Sequence, residues 1–510
     1  MEITQAALTI SILILSLLGF MIIFKKPRKV TASLPPGPRG LPIVGFLPFL
    51  TTNLHYQFAE LARQYGPIVK IQLGSRLCFV VSSPSSVKEV TREQDMICAN
   101  HDATVAIEVI TRGRLDIAFS PFGSYWRNMR KVFVREMLSK SNLDAGYDLR
   151  KVGVREAIKS VVSKVGTAVD VGELTFVTEA NVIMSMLWGG TIQEDEQTKI
   201  GLEFRAVLQK AMDLLSKPNV SDFFPAIARF DIQGVAKEME AIVQTIDEIL
   251  DRIVNISMKR ASEKKRDEIK EGTAKKDFIQ ILVELQEQKE TGTEISITQI
   301  KAILMDIVTG GTDTTATSAE WVMTEVLHNR EVMQKVQKEL EDVVGLNNIV
   351  EEYHLPKLKY LDAVVKEAAR LHPALPLLLP RRPSEPCKVA GYTIPKDSKI
   401  FINVWAIQRD PQLWENALEF KPERFLNEPG KWDFSGNNFQ YLPFGSGRRI
   451  CAGLPLAEKM LLYILASLLH SFDWQPTETK EADFSEKFGV VMRKSKPLLA
   501  IPTKRSSSGN

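Results

Sequence analysis

Residues 444–453 read Phe444-Gly445-Ser446-Gly447-Arg448-Arg449-Ile450-Cys451-Ala452-Gly453, with Leu442-Pro443 before them and an apolar helical stretch, Leu454 to Leu469, behind. A cysteine in a glycine-rich loop that opens onto a helix lies where backbone N–H groups and the positive helix end favour its thiolate. Gly447 and Gly453 permit turns and close approach that a side chain blocks. A flat, metal-bearing plane across the loop needs that clearance. Taken alone, Cys451 reads as a small buried residue in a turn. Five fixed positions, Phe444, Gly447, Arg449, Cys451 and Gly453, together form FxxGxRxCxG, which arises by chance at roughly one start in millions on average composition. Cys78, Cys98 and Cys387 are scattered without CxxC spacing, and the six histidines form no HExxH pair. Neither a zinc site nor a disulfide framework follows, and the three other cysteines read as small buried residues in a reducing compartment.

Upstream, Ser296 to Gln299 forms a capping box ahead of Ile300, Ile303, Leu304, Ile307 and Val308, which recur at helical spacing. Gly310-Gly311-Thr312-Asp313-Thr314-Thr315 then interrupts that helix. Adjacent glycines in a helix cost about 1 kcal/mol each relative to alanine, so close packing or room for a ligand has to compensate. A threonine can turn its hydroxyl onto a carbonyl one turn back, and an acid beside it offers a proton route. In Lys366-Glu367-Ala368-Ala369-Arg370-Leu371-His372-Pro373, Glu367 and Arg370 stand one helical turn apart, ordinarily a surface ion pair. Pro422-Glu423-Arg424-Phe425 follows downstream. In Tyr125-Trp126-Arg127-Asn128-Met129-Arg130-Lys131, Trp126 and Arg130 share one side of a helix, where each can donate to a carboxylate or serve as core tryptophan and surface arginine.

With these motifs in this order, the chain resembles the cytochrome P450 family from its proline-rich segment to its carboxyl end, and the plant microsomal members of specialised metabolism in particular. The resemblance implies a mainly α fold with small β-sheets: a triangular helical body holding haem between a long distal helix and a proximal cysteine loop. It implies Cys451 as the axial thiolate ligand of haem iron, with Phe444 and Gly453 beside it. Arg449, Trp126 and Arg130 are expected at the haem propionates, and Arg381 in Leu379-Pro380-Arg381 by position only. Asp313 and Thr314 are expected to guide protons to dioxygen. Glu367, Arg370 and Arg424 are expected to form a buried triad supporting the cysteine loop. Haem b, O2 and, indirectly, NADPH through a flavoprotein reductase are the implied cofactors, since no dinucleotide or flavin fingerprint follows a strand in this chain. Arg382-Pro383 departs from related plant sequences, which often carry an acid there, and this bears only on the local contact.

The 510 residues are 44% apolar and 25% charged, which suits a large globular core and excludes disorder of the whole chain. A net charge of +3 gives no global field, so nucleic-acid binding does not follow and any basic surface is local. Ala6 to Phe24 carries no charge and has the length of a membrane-spanning helix. It runs into Lys25, Lys26, Arg28 and Lys29 rather than a small-residue cleavage site, so residues 1–24 read as an uncleaved anchor rather than a signal peptide. The basic flank places the rest in the cytosol, and the resemblance to microsomal members implies the endoplasmic reticulum membrane. Residues 25–46, basic and proline-rich, read as a stiff hinge or plain linker, 47–500 as the catalytic domain and 501–510 as a polar tail. Short strands are expected between Ile68 and Ser83 and from Val389 to Trp405, and a solvated loop from Lys259 to Asp277.

The function that follows is a membrane-bound haem-thiolate monooxygenase. It takes electrons from a reductase and inserts one oxygen atom into a small lipophilic substrate, a terpenoid or a phenolic such as a flavonoid. Aliphatic segments around Val105 to Ile110, Ile303 to Ile307, Leu375 to Leu379 and Val490-Val491 are the expected pocket walls. Arg127, Lys131 and Arg448 offer a basic patch for the acidic reductase. The alternatives are a haem-thiolate isomerase or dehydratase that rearranges hydroperoxides without a reductase, which an intact Asp313-Thr314 pair disfavours, and a haem sensor that never turns over.

Overall fold

The computed structural model describes residues 33–188, 194–267, 277–287, 295–428, 430–477 and 483–505. The apolar segment Ala6 to Phe24 lies outside these residues, and among the described residues no helix is long and apolar enough to cross a membrane. The fold is mainly helical with four small sheets among the described residues.

Alternation in Ile68 to Val81 produces β1 (Ile68–Leu73) and β2 (Arg76–Val81), an antiparallel hairpin in which Ile68 faces Val81. Three further strands, β3 (Asn100–His101), β4 (Arg381–Arg382) and β5 (Lys399–Ile402), complete a sheet of order β1-β2-β5-β4-β3. β5 runs parallel to β2, and β3 pairs antiparallel with β4 so that His101 sits opposite Arg381. Two chemically important side chains, remote in sequence, thus become neighbours. The expected strand stretch Val389 to Trp405 is real only in part: it holds the end of one short hairpin, Cys387–Val389 with Tyr392–Ile394, then β5, and Trp405 falls in a helical turn, Val404–Ile407.

The helices that build the site are α1 (Ser124–Glu136), α2 (Val171–Trp188), α3 (Ile297–His328), α4 (Lys359–Leu371) and α5 (Leu454–Ser471). α3 and α5 are apolar on most sides, as interior helices are. The capping box at α3 is present: Gln299 N–H donates to Ser296 Oγ at 3.2 Å, and Ser296 N–H donates to Gln299 Oε1 at 2.8 Å. Lys259 to Asp267 departs from the loop reading. It is the end of one long helix, Val235–Asp267, because Lys, Glu and Arg are good helix formers, and residues 268–276 of that stretch lie outside the described residues.

Gly310-Gly311 does not interrupt α3, which passes through both without a break. The two glycines do different things. A Cβ on Gly311 would stand 2.4 Å from Ile183 Cδ1, so its bare backbone lets α2 and α3 approach. A Cβ on Gly310 would meet nothing within 4 Å. Gly310→Ala therefore should gain helix propensity, about 0.5–1 kcal/mol, whereas Gly311→Val should cost about 1–3 kcal/mol by overpacking. Thermal unfolding followed by circular dichroism should show Tm rising for the first and falling for the second.

Candidate active site

A cavity of about 310 Å³ is bounded by α3 and by the cysteine loop, and seven of the twelve expected site residues line it. Gly310, Gly311 and Thr314 line it from α3, Phe444, Gly445, Arg449, Cys451 and Gly453 from the loop, and Arg130 and Arg381 from α1 and β4. Trp126 and Asp313 do not line it, and Glu367, Arg370 and Arg424 stand behind the loop. Ile307, Leu375, Leu378 and Leu379 are apolar walls as expected, but Val105 to Ile110, Ile303 and Val490-Val491 are not among them. Phe133, Ile183 and Ile117 take that place.

Cys451 lies deep in the protein, yet its side chain is open to the cavity. The loop is closed by Cys451 N–H donating to the Phe444 carbonyl at 3.0 Å and Ile450 N–H to the Gly447 carbonyl at 3.1 Å. Burial pushes the thiol up, while the N–H groups of Gly453 and Leu454, at the start of α5, and the Arg130 guanidinium pull it down. Gly447 has φ +73°, and a Cβ there would fall 2.1 Å from the Thr91 carbonyl oxygen, so this position admits no side chain. Gly453 has an ordinary φ of −78°, so no turn requires a glycine there, and a Cβ would meet only Cys451 Sγ at 3.9 Å among the described residues. Phe444 packs edge-on to Phe434, ring centroids 4.9 Å apart.

Three guanidiniums converge on one end of the cavity, and none pairs with a carboxylate among the described residues. Arg449 donates to the carbonyls of Ala99 (2.6 Å), Ile117 (3.0 Å), Ala118 (3.3 Å) and Ser120. Arg381 donates to Ser446 O at 3.1 Å and Arg130 to Ile450 O at 2.6 Å. Burial, then repulsion from Arg381, brings Arg449 down to about 9, and burial brings Arg381 down to about 10. Cations so placed want anions that the chain does not supply. Trp126 sits one layer back, donating its indole N–H to Ile117 O at 3.0 Å and stacking under Arg449 at 4.5 Å. Its own donor is thus spent inside the protein, unlike the direct carboxylate contact expected of it.

On α3, Thr314 Oγ1 donates to the Gly310 carbonyl at 2.7 Å, the one-turn-back bond expected of it. Asp313 is buried and paired with Arg493 at 2.8 Å. Behind the loop, Glu367 accepts from Arg370 at 2.7 and 2.8 Å, from Arg424 at 2.9 Å and from Lys421 N–H at 2.9 Å. Arg370, fully buried, spends its remaining donors on the carbonyls of Gln408, Ala417 and Glu419. Gln408 carries the support forward, since its Oε1 accepts Leu442 N–H at 2.8 Å, just before the cysteine loop. Arg382 pairs with Asp397 at 2.9 Å, away from the site.

Sequence reasoning passed over His101, Glu179, Asp306, Gln408 and Arg493. His101, whose Nδ1–H donates to Ala118 O at 2.6 Å, carries no motif. Glu179 and Asp306 line the cavity, and each is an acid inside an apolar helical stripe, a signal that would have found them. Burial alone pushes Glu179 well above its usual range, and its Oε1 has no partner.

A thiol facing the cavity, glycines and a hydroxyl on α3, and three arginines lacking carboxylates fit a flat dicarboxylate that carries a thiol-binding metal. Haem b is such a group. Comparison with known proteins agrees. The sequence family described as Cytochrome P450 matches residues 35–501. Cytochrome P450 76C2 of Arabidopsis thaliana is 37% identical over 500 residues, 96% of each chain. Geraniol 8-hydroxylase of Swertia mussotii is 38% identical over 92% of this chain and 94% of its own. Flavonoid 3',5'-hydroxylase of Solanum melongena is 35% identical over 93% of this chain and 91% of its own. A zebra fish cytochrome P450 solved with abiraterone shares the fold at TM-score 0.73 and 24% identity, covering 90% of this chain and 100% of its own. The chain therefore belongs to the cytochrome P450 family, oxygen-incorporating oxidoreductases that use haem b with a cysteine thiolate, and O2.

Proposed function

We propose that Cys451 is the haem ligand of a membrane-bound monooxygenase acting on a small lipophilic substrate, with electrons from an NADPH-dependent reductase. The observation that carries this is the Cys451 side chain, deep in the protein and open to a cavity that Arg130, Arg381 and Arg449 also line. When bound, haem supplies reduction of dioxygen and insertion of one oxygen atom into a substrate. The chain's own residues do the rest. Cys451 offers its sulfur, steadied by the N–H groups of Gly453 and Leu454. Arg130, Arg381 and Arg449 offer donors to carboxylates. Thr314 holds a proton at Oγ1, and Asp313, tied to Arg493, stands between it and solvent. The apolar walls exclude water and suit a terpenoid or phenolic, the kinds of molecule named for geraniol 8-hydroxylase and flavonoid 3',5'-hydroxylase.

Residues 1–24 act as the anchor in the endoplasmic reticulum membrane, residues 25–46 as the hinge, and the remainder as a cytosolic catalytic domain with a polar tail. Support comes from the uncharged length of Ala6 to Phe24 and its basic flank. The reductase docks against Arg127, Lys131 and Arg448, which are exposed on the α1 and cysteine-loop surface.

Cys451→Ser should abolish the thiolate-type band in the ferrous carbon monoxide difference spectrum, because an alcohol is harder to deprotonate and donates less to iron. A wild-type Soret position in the variant would remove the assignment. Deleting residues 1–24 should move the protein partly into the soluble fraction with that spectrum intact, since no site residue lies there. Loss of haem on truncation would contradict the domain division. Thr314→Ala should keep haem and substrate binding, because one hydroxyl and little packing are lost. Product formed per NADPH oxidised, measured with reductase, should fall by on the order of tenfold or more. Unchanged coupling would favour peroxide rearrangement without a reductase.

A further inference from the structure

The arginine end of the cavity is organised by a loop, residues 116–120, that has no regular secondary structure beyond turns. A buried irregular segment has to place every backbone N–H and C=O on some partner. Here side chains take nearly all of them. On the carbonyl side, Ile117 O accepts from Trp126 Nε1 and Arg449 Nη1, both at 3.0 Å. Ala118 O bonds His101 Nδ1 at 2.6 Å and accepts from Arg449 at 3.3 Å. Ser120 O accepts from Arg449, and Phe119 O accepts from Arg114 at 2.9 Å. On the N–H side, Phe119 donates to Asp116 Oδ2 at 3.0 Å, closing the turn. The N–H groups of Ile117, at 3.0 Å, and Ala118 donate to a single carboxylate, Asp306 of α3.

We propose that Asp306 is a positioning residue for cofactor binding: by gripping the N–H groups of Ile117 and Ala118 it turns the carbonyls of residues 117–120 onto Arg449, Trp126 and His101. Arg449 has no carboxylate partner among the described residues, so its direction is set by the carbonyls it donates to, and those carbonyls are set by Asp306. Asp306 lies on α3 two turns before Thr314, so one helix carries both the grip on this loop and the hydroxyl over the cavity. Asp116 does not replace it, because Asp116 Oδ1 is buried without a partner and its other oxygen is held within its own turn. Burial lifts Asp306 to about 6, and the two N–H groups and Arg449 pull it down.

The inference rests on the reading that Arg449 meets a cofactor carboxylate, and the test separates the two. Full-length holoenzyme carrying Asp306→Ala, Asp306→Asn or Arg449→Leu is mixed with excess apomyoglobin to follow haem transfer. Amide exchange of residues 115–120 is read in parallel by mass spectrometry. Asp306→Ala should speed haem loss by on the order of tenfold or more, as expected for losing hydrogen bonds to a charged acceptor, and raise exchange across 115–120. Asp306→Asn keeps a carbonyl acceptor and should stay within about threefold of wild type. Arg449→Leu should lose haem quickly with little change in loop exchange. Wild-type haem retention in Arg449→Leu would sink the carboxylate reading itself. Fast loss there with wild-type behaviour in Asp306→Ala overturns the grip, as does Asp306→Asn matching Asp306→Ala. If Asp306→Ala gives no holoenzyme, a normal yield for Asp306→Asn supports the grip and failure of both overturns it.

Discussion

A guanidinium taken out of water has to fill five N–H donors and neutralise a charge, and this protein solves the problem in two ways on either side of its cysteine loop. Behind the loop, Arg370 finds its counter-ion inside the chain: Glu367 takes two of its donors, and three carbonyls take the others. In front, Arg449 is satisfied by carbonyls alone and keeps its charge uncompensated. The first arrangement is a finished structural element. The second gives four hydrogen bonds to carbonyls for five donors and leaves the charge without a counter-ion among the described residues, which is what a binding site for an anion looks like.

The loop between them inherits its rigidity from both. Gln408 links the carbonyls at the end of α4 to the Leu442 N–H. Arg381 fastens Ser446, and Gly447 lies against the Thr91 carbonyl with no space for a side chain. A thiol on such a frame has its Cα–Cβ bond directed by the backbone before any metal meets it.

How far the sequence reveals this depends on whether a residue acts through spacing or through fold. Cys451, Gly447 and Arg449 act within ten residues and are legible there, as are Glu367 and Arg370 on one helix. Arg424 becomes readable only beside them by resemblance. His101 opposite Arg381, or Asp306 gripping residues 117 and 118, depend on strand pairing and on a loop whose course no local pattern encodes. Gly310 and Gly311 show the same limit at close range. The pair signals a need for bare backbone, and both line the cavity, but only the packing of Ile183 tells that Gly311 alone lets the helices approach. Trp126 was misplaced for a related reason: its indole donor is captured by Ile117 O, a partner in another segment.

Desolvation ties the two walls of the cavity together. It disfavours a thiolate at Cys451 and disfavours the cations at Arg449 and Arg381, so the same apolar surroundings work against the charge state each group needs. Arg130, beside the loop, eases the first cost only in part, since burial still leaves the thiol raised. A ligand that brings a cation to the sulfur and two carboxylates to the arginines relieves both at once, and its binding free energy adds to the stability of the folded chain by linkage. Cofactor retention and fold stability should then respond together to changes at the arginine end. Changes among Ile307, Leu375 and Leu378, which bear no charge, should instead alter the shape of the apolar wall.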